Sequence, residues 1–461
     1  MTVTLVLSDD LVAGLIEAVG LEVETGGVLL AKVAQAPNGD IRLLGRRMCW
    51  VPADAYLRRA ADELLVPSLG YVPALGEAEA ESCMALWVHT HPGENGVPLP
   101  SRHDRKVDKA LADLFQLRSG SGYYGTLILS RRGAGLAFSG TLVEEGKGAM
   151  PINRLWQVGS GLRLTVAHDA RAGKIAPLFD RNVRAFGPAI QGTLSRLVIA
   201  IVGAGGTGSA VAEQLVRLGV RSILLIDPDV MSASNTTRVY GSTLADVGRP
   251  KVDVLANHLC RIAPDVECRS IRSTVSMEAA ARQLVACDLV FGCTDDNAGR
   301  LVLSRLSSFM LTPVIDVGVL LSSDGDGQLT GIDGRVTVLS PASACLVCRG
   351  RIDLGRAAAE LRTPEERKKL EDEGYAPALG GVEPAVVAFT TSVAAAAVGE
   401  LLERLIGYGP DPRPSEVLLR WHEREISTNI RLPNPGHYCD PKGSKLGAGI
   451  GVPFLEQTWP E

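Results

Sequence analysis

The sequence predicts an α/β protein with two domains, the second of which is a doubly wound, Rossmann-like domain. The first observation is length, because 461 residues are about three times the usual size of one domain. The second is that short strand patterns dominate residues 1–148, whereas apolar strands alternate with helices after residue 195. The third is a glycine-rich turn between a strand and a helix at residues 203–208.

Composition and periodicity divide the chain further. Gly146, Gly148 and Pro151 mark the end of the first domain. In it we predict strands over 26–33, 41–49, 84–88, 124–130 and 136–143, and helices over 52–66 and 101–117. In the second domain we predict strands over 196–202, 222–226, 288–293 and 313–317, and helices over 206–218, 251–262, 298–311 and 383–405. The resulting division is a domain over 1–148, a linker over 149–180, a domain over 181–440 and a loose tail over 441–461.

Composition restricts the classes of function. A net charge of -5 argues against a general nucleic-acid binder and a polybasic membrane attachment, and 5% aromatic residues disfavour base stacking. The apolar stretch 385–399 is shorter than the roughly 20 residues of a membrane span, and the first ten residues lack a signal-peptide pattern. We expect a cytoplasmic protein, in which the nine cysteines are metal ligands or buried thiols rather than disulfides.

The motif His89-Thr90-His91-Pro92 carries two candidate metal ligands at the end of an apolar strand. The two histidines can bind one ion because side chains two residues apart lie on the same face of a strand. Ser101 and Asp104 are neighbours on the first turn of the following helix. Two histidines and one carboxylate leave an open position on zinc, as water activation requires, and Glu24 could take the proton. For the histidines alone, the alternative is an ordinary loop pair.

These residues resemble the motif of the JAMM (JAB/MPN) zinc metallopeptidase family, which is a glutamate followed by His-x-His-Pro and Ser-x-x-Asp. The resemblance covers the first domain and implies a JAB/MPN α/β fold with deubiquitinase-like hydrolase activity. It makes His89, His91 and Asp104 the zinc ligands, Glu24 the general base and Ser101 the residue that stabilises the oxyanion. Glu22 fits the family spacing less well than Glu24, the stretch after Pro92 is longer than usual, and His103 is expected at the surface.

The turn Gly203-Ala204-Gly205-Gly206-Thr207-Gly208 is a candidate nucleotide site. Its glycines allow the backbone to approach phosphates, and the N-terminus of the helix that it begins favours anions. Asp227 follows about 20 residues later, at the end of the next strand, where a carboxylate can bind ribose. These features alone suit an NAD-dependent oxidoreductase equally well.

Three charged residues further along the chain favour ATP. An NAD site has no need of Arg238, Lys251 and Asp295 around one pocket. Cleavage of ATP between its α- and β-phosphates needs cations that offset the charge developing on pyrophosphate, and a carboxylate that holds magnesium. Taken singly, each of these residues is equally typical of a solvated surface charge.

From Arg181 to Cys439 the sequence resembles the ThiF/MoeB/ubiquitin-activating-enzyme family. The ATP site implied by this resemblance consists of Gly203, Gly205, Gly206, Gly208, Asp227, Asp229, Asn235, Arg238, Lys251 and Asp295. In it Asp227 binds ribose, Asp295 holds magnesium, and Asn235, Arg238 and Lys251 contact phosphates, the last two as catalytic residues. Arg181 matches an arginine that reaches the ATP of the other subunit, which implies a homodimer. Asp296 departs from the family, where asparagine is commoner, with Asn297 one place later.

Cys345-Leu346-Val347-Cys348 supplies half of a four-ligand zinc site. Family members carry a second cysteine pair near the C-terminus, and the resemblance makes His437 and Cys439 its counterpart here, although their spacing differs. The alternative is a lost or empty metal site. Family members that conjugate proteins also use a loop cysteine as a thioester nucleophile, but residues 349–382 contain no cysteine. The remaining cysteines are expected to be small buried side chains, and they are Cys49, Cys83, Cys260, Cys268, Cys287 and Cys293.

Together the two resemblances imply a bifunctional enzyme. Its zinc peptidase or isopeptidase would cleave after the C-terminal glycine of a ubiquitin-like protein, and its adenylyltransferase would activate that glycine with MgATP. The activated protein would serve either conjugation in a bacterial ubiquitin-like pathway, with a separate conjugating enzyme, or sulfur transfer of the ThiS/MoaD kind. Because the loop cysteine is absent, we expect adenylation without an obligatory thioester on this chain. The exception would be a catalytic Cys345 or Cys348 in a protein that holds no zinc at that site. The rival functions are an NAD-dependent oxidoreductase and a non-catalytic scaffold.

Overall fold

The described chain forms two units, each with its own β-sheet. The computed structural model describes residues 1–94, 96–133, 135–167, 175–324, 326, 328–362, 366 and 385–460. The first unit consists of Met1–Gly173 together with Gly447–Ile450, and the second of Lys174–Leu446 and Gly451–Glu461. Each unit contains one of the regions in which the sequence predicts a functional site.

A mixed sheet forms the first unit, and within the described residues it has nine strands. Its strand order is β11-β10-β1-β3-β2-β6-β7-β8-β9. A two-stranded hairpin, β4 and β5, lies outside that sheet. The strands are β1 (Val3–Ser8), β2 (Gly26–Gln35), β3 (Ile41–Trp50), β4 (Arg58–Arg59), β5 (Leu64–Leu65), β6 (Met84–Glu94), β7 (Tyr123–Arg132), β8 (Gly135–Glu144), β9 (Ala149–Pro151), β10 (Arg154–Val158) and β11 (Leu162–Val166).

Both faces of this sheet are covered by helices, so its central strands are apolar on both sides. On β2, Leu29 packs into the cluster that includes Val12 and Leu15 of α1. The next residue, Leu30, points to the other face and joins the cluster that includes Phe115 of α3. The helices are α1 (Asp9–Val19), α2 (Val72–Ala80) and α3 (Arg102–Ser119). The sequence pattern predicts α3 and its N-cap, Ser101, but not α1 or α2.

The predicted helix over residues 52–66 is wrong. Pro52 precedes a single 3₁₀ turn, Ala53–Ala55, and the chain then forms the β4–β5 hairpin. Leu64 and Val66 pack against the core cluster that contains Trp87. Arg59 donates hydrogen bonds to the Glu24 carbonyl (3.0 Å) and to Thr25 Oγ1 (2.7 Å). These contacts with distant residues outweigh the local helix pattern, because tertiary packing contributes more than propensity.

Two predicted irregular segments also contain ordered structure. The predicted linker over 149–180 contains β9, β10 and β11, because Leu155 and Trp156 of β10 are buried in the sheet of the first unit. Residues 168–174 of that linker lie outside the described residues. The predicted loose tail is anchored in the second unit, where Phe454 and Leu455 are buried and Arg305 donates a hydrogen bond to the Leu455 carbonyl (2.9 Å).

The second unit has the doubly wound arrangement that its alternating pattern predicts. In the part of it that the structure describes, eight strands pair in the order β14-β13-β12-β15-β16-β17-β18-β19. Neighbours from β14 to β16 are parallel, and those from β16 to β19 are antiparallel. The strands are β12 (Val198–Val202), β13 (Ser222–Ile226), β14 (Glu267–Ile271), β15 (Leu289–Gly292), β16 (Val314–Ser323), β17 (Leu329–Leu339), β18 (Glu416–Arg420) and β19 (Glu425–Asn429). The strand order reverses between β12 and β15, where such sheets bind ligands.

Helices connect these strands; α6, α7, α9 and α11 match predicted helices closely, whereas the sequence pattern did not predict the other described helices. They are α4 (Asp180–Phe186), α5 (Pro188–Leu194), α6 (Gly206–Leu218), α7 (Lys251–Ile262), α8 (Glu278–Gln283), α9 (Asn297–Phe309), α10 (Leu354–Glu360) and α11 (Val387–Ile406). Residues 383 and 384 of the predicted final helix lie outside the described residues, and α11 begins at Val387. Across the described residues, we find no helix with both the length and the apolar character that crossing a bilayer requires.

Candidate functional site

The first candidate site is assembled by the pairing of β2 with β6. Gly26 lies directly opposite His89 in this antiparallel pair, which brings Glu24, two residues earlier, beside the histidine motif. A Cβ atom on Gly26 would lie 3.0 Å from the Trp87 ring, so the missing side chain permits this close approach. His89 and His91 project from the same face of β6, with ring centroids 5.2 Å apart.

Asp104 completes a group of three potential metal ligands. Its Oδ1 lies 3.5 Å from His89 Nε2, and its Oδ2 lies 3.8 Å from His91 Nε2. Nitrogen and oxygen ligands of a tetrahedral zinc at 2.0–2.2 Å lie roughly 3.4 Å apart, so these atoms are close to zinc-binding separations. His89 is buried, and neither ring nitrogen has a hydrogen-bond partner among the described residues. Unpaired buried nitrogens fit a metal ligand, because burial without a partner is otherwise costly.

A capping box at the start of α3 holds Asp104 in position. The Ser101 amide donates to Asp104 Oδ2 (2.7 Å), and the Asp104 amide donates to Ser101 Oγ (3.1 Å). Burial by itself would raise the pKa of Asp104, but His89 and the hydrogen bonds from Ser101 lower it below its usual value. Burial and the nearby His89 also lower the pKa of His91. The ionised carboxylate and the neutral imidazole are the forms that bind metals.

Glu24 shares a cavity of about 690 Å³ with the ligand group and with Ser101. Burial raises the pKa of Glu24 to about 7, which is near the value at which a carboxylate is an effective general base. His103 is exposed, as the sequence predicts, and it also lines this cavity. Asp108 lines it too, and burial raises its pKa to about 6. The only sequence signal for Asp108 is its place one helical turn after Asp104.

The second candidate site surrounds the glycine turn at the end of β12. Gly203 has a φ of +95°, a left-handed conformation that favours glycine. A Cβ atom on Gly208 would lie 1.8 Å from the Gly203 carbonyl oxygen, so only glycine allows this closure. Asp227 accepts hydrogen bonds from the Ala204 amide (2.7 Å) and the Asp229 amide (2.8 Å), and therefore fixes the turn against the end of β13. Burial raises the pKa of Asp227.

Most of the residues predicted to bind ATP line one cavity of about 510 Å³, namely Gly203, Gly205, Gly206, Asp227, Asp229, Arg238, Lys251 and Asp295. Arg238 lies against the turn, because a Cβ atom on Gly206 would be 3.2 Å from its Cγ and Cδ. Lys251 Nζ donates to Asp229 Oδ2 (2.7 Å). This convergence of cations and a carboxylate beside the glycine turn favours ATP over NAD.

Three other residues predicted for this site lie outside the cavity lining, and they are Gly208, Asn235 and Arg181. Gly208 packs inside α6, as described above, and Asn235 accepts a hydrogen bond from the Ser232 amide (3.1 Å). Arg181 is exposed on α4. Asp296 lines the cavity and caps α9, since its carboxylate accepts a hydrogen bond from the Gly299 amide (2.5 Å). Arg300 of α9 also lines the cavity, and no sequence motif identifies it.

The four predicted structural ligands of the second unit form a compact cluster. Cys348 Sγ lies 3.7 Å from Cys439 Sγ, and His437 Nδ1 lies 3.4 Å from Cys345 Sγ and 3.3 Å from Cys439 Sγ. Ligands of a tetrahedral zinc lie about 3.8 Å apart for two sulfurs and about 3.5 Å for sulfur and nitrogen. Hydrogen bonds from Cys439 and Tyr438 lower the pKa of Cys345 to about 4, and a thiolate is the form that binds zinc. The one-residue spacing of His437 and Cys439 is therefore compatible with a zinc site.

The prediction that all remaining cysteines are buried is partly wrong. Cys83 and Cys287 are buried, whereas Cys49, Cys268 and Cys293 are partly exposed. Cys260 is exposed, because it lies on the outer side of α7.

Replacement of Cys348 by Ser is expected to remove about one zinc ion per chain, because three remaining ligands hold a structural zinc poorly. Metal analysis of the purified protein measures this loss. Cys260→Ser changes an exposed thiol outside the cluster and is expected to leave the zinc content unchanged. Equal zinc contents in Cys348→Ser and the unmodified protein would contradict the assignment.

Comparison with known proteins adds evidence for the second unit. A model of the ThiF family matches residues 179–440. The SAMP-activating enzyme E1 of Haloferax volcanii is 27% identical over 162 residues, which cover 35% of this chain and 56% of that protein. The ATP-dependent ubiquitin transferase-like protein Cap2 of Enterobacter hormaechei is 36% identical over 130 residues, which cover 28% of this chain and 21% of that protein.

The sulfur carrier protein ThiS adenylyltransferase of Escherichia coli is a further relative. It is 29% identical over 143 residues, which cover 31% of this chain and 53% of that protein. The matched segments thus span 21%, 53% and 56% of the lengths of the three relatives, so none of them is similar over its whole length.

Proposed function

The chain belongs to the ThiF family, and from this we propose that its second unit adenylates the C-terminal glycine of a ubiquitin-like or sulfur-carrier-like protein with MgATP. The observation that carries the proposal is the single cavity in which Arg238, Lys251 and Asp295 surround the glycine turn. Relatives named as enzymes that activate SAMP and adenylylate ThiS support this class of substrate.

Adenylation makes a mixed anhydride at the expense of ATP. A carboxylate oxygen of the terminal glycine forms a bond with the α-phosphorus, while the bond from that phosphorus to the bridging oxygen breaks and pyrophosphate leaves with the electron pair. Arg238 and Lys251 stabilise the charge that develops on the leaving pyrophosphate. Magnesium, when bound by Asp295, supplies further charge neutralisation on the phosphates. Asp227 holds the glycine turn and would bind the ribose of ATP.

For the first unit we propose a zinc-dependent peptidase or isopeptidase that cleaves after the same C-terminal glycine. The shared cavity of Glu24, Ser101 and the ligand group His89, His91 and Asp104 supports this activity. Zinc, when held by these three residues, supplies a Lewis acid. Glu24 accepts the proton of the attacking water and delivers it to the leaving amine, and the Ser101 hydroxyl donates to the developing oxyanion. The ThiF match begins at residue 179, so this proposal depends on the geometry of the first unit.

Peptidase and adenylyltransferase activities on one chain would act in sequence. Cleavage exposes the glycine carboxylate that adenylation consumes, and the covalent link between the units raises the effective concentration of the shared substrate. We assign the peptidase to the first unit and adenylation to the second. The acyl adenylate then passes either to a conjugating enzyme or to a sulfur donor. Exposed Arg181 is available to the ATP site of a second copy, so we propose a homodimer.

Exchange of labelled pyrophosphate into ATP tests the adenylation proposal. We expect exchange only when a cognate small protein with a C-terminal glycine is present, because pyrophosphate release requires the attacking carboxylate. The matched control is the same small protein without its terminal glycine. Absence of exchange across bacterial ubiquitin-like and ThiS-like proteins, with ATP bound normally, would reject this function.

A further inference from the structure

A buried carboxylate lies between two arginines at the edge of the nucleotide cavity. Asp316 of β16 is fully buried. Its Oδ2 accepts a hydrogen bond from Arg335 Nη2 (2.7 Å), and its Oδ1 lies 3.5 Å from Arg300 Nε. Asp316 pairs with Gly292, the last residue of β15, so Asp316 and its two arginines lie beside the end of that strand. The chain continues from Gly292 to Asp295.

Two positive charges share this one negative charge. The Nε atoms of Arg300 and Arg335 are buried and have no hydrogen-bond partner among the described residues, and Asp316 Oδ1 has none either. Each guanidinium is largely buried, with 17% of its side chain exposed. A buried cation without a full partner is unfavourable. The two arginines therefore carry an excess positive charge that an additional anion would neutralise.

Gly318 lies next to both guanidiniums and gives an anion in the nucleotide cavity a path to them, because it has no side chain. A Cβ atom on Gly318 would lie 3.5 Å from Arg300 Nη2 and 3.6 Å from Arg335 Nη2. Gly318 and Arg300 both line the nucleotide cavity. Over the described residues, β16 pairs with β15 only as far as Asp316 and with β17 beyond it, so the other side of β16 near Gly318 is free to receive an extended chain.

We propose that Arg300 and Arg335 bind the C-terminal carboxylate of the substrate protein and hold it for attack on ATP. This inference rests on the proposed adenylation. Planar guanidinium groups bind a carboxylate through two parallel hydrogen bonds. The phosphates have their own partners at the glycine turn, where Arg238 and Lys251 lie. Bond formation to the α-phosphorus removes the carboxylate charge, so these arginines bind the substrate more strongly than the adenylate.

Peptide binding tests the proposal. The probes are a synthetic peptide that ends in Gly-Gly with a free carboxylate and the same peptide as a C-terminal amide, each titrated in the presence of magnesium and a non-hydrolysable ATP analogue. We expect the unmodified protein to prefer the acid by about 10- to 100-fold, as a charge-assisted pair provides. Arg300→Gln is expected to abolish this preference and to leave the Kd of the ATP analogue unchanged.

Two further variants keep the test decisive. Gly318→Ala retains both arginines and places a methyl group against their guanidiniums, where the carboxylate would bind. It too is expected to lose the acid preference, with an unchanged circular dichroism spectrum. Arg217→Gln, at an exposed arginine of α6, is the control and is expected to keep the preference. The inference would be overturned if Arg300→Gln and Gly318→Ala both kept the preference for the acid peptide. It would also be overturned if these variants bound the ATP analogue more weakly but kept the preference for the acid. Failure of pyrophosphate exchange in the unmodified protein would instead overturn the proposed adenylation.

Discussion

Asp295→Asn is expected to lower the rate of ATP–pyrophosphate exchange by about 100- to 1000-fold, the effect of removing one charge-stabilising group from a preorganised site. Asp295 lies three residues after the end of β15 and lines the nucleotide cavity. Among the described residues, the Asp295 side chain forms no hydrogen bond or ion pair, in contrast to that of Asp227, which holds the glycine turn. The substitution is therefore expected to remove the charge proposed to bind magnesium while leaving the fold intact. Initial rates of exchange at saturating ATP and partner protein measure the effect.

The neighbouring acid provides a matched control for this experiment. Asp296 also lines the cavity, but its carboxylate caps α9 through the Gly299 amide. Asparagine is an equally good cap, so Asp296→Asn is expected to keep exchange within a few-fold of the unmodified rate. Similar rates for Asp295→Asn and the unmodified protein would show that Asp295 is not the magnesium ligand.

Glu24→Gln is expected to lower peptide cleavage by about 100- to 10,000-fold, the contribution of a general base. Glu24 is not one of the three clustered ligands, so the zinc content is expected to stay the same. The substrate is a C-terminally extended precursor of the small protein that supports exchange, and mass spectrometry measures the rate at which the extension is released.

An exposed glutamate two residues earlier gives the control for this variant. Glu22→Gln makes the same chemical change outside the cavity lining and is expected to cleave at the unmodified rate. Continued rapid cleavage by Glu24→Gln would reject Glu24 as the base, whereas loss of zinc along with activity would show that Glu24 supports the metal rather than moving a proton.

The alternating part of the second unit could be predicted from the sequence because its signals are local. The apolar run that forms β12, the glycine turn and the amphipathic pattern of α6 all lie within about two dozen consecutive residues. The antiparallel strands β17 to β19 could not be predicted in this way, because β18 pairs with a strand about 80 residues earlier in the chain. The hairpin of β4 and β5 escaped prediction for a similar reason, since its contacts with Glu24 and Trp87 are distant in sequence.

In the candidate sites, too, residues that are close in sequence could be predicted, whereas those brought together by the fold could not. Motifs at fixed spacing identify the histidines of β6 and the glycines after β12, because each set lies within one short segment of the chain. Arg335 and Asp316 carry no such motif, and only the pairing of β16 with β17 places them together. Likewise, burial of the carboxylates Glu24 and Asp108 is a property of the folded cavity, so their raised pKa values cannot be predicted from sequence.

Asp104 belongs both to the N-terminal cap of α3 and to the proposed zinc ligands. The carboxylate that closes the capping box of α3 is the same one that approaches both histidines. If zinc binds there as proposed, the ordering of the first helical turn and the retention of the metal are thermodynamically linked, since whatever orders one favours the other. Chelators would then act on this unit in two ways at once, by emptying the cavity and by loosening the end of α3 that forms its wall.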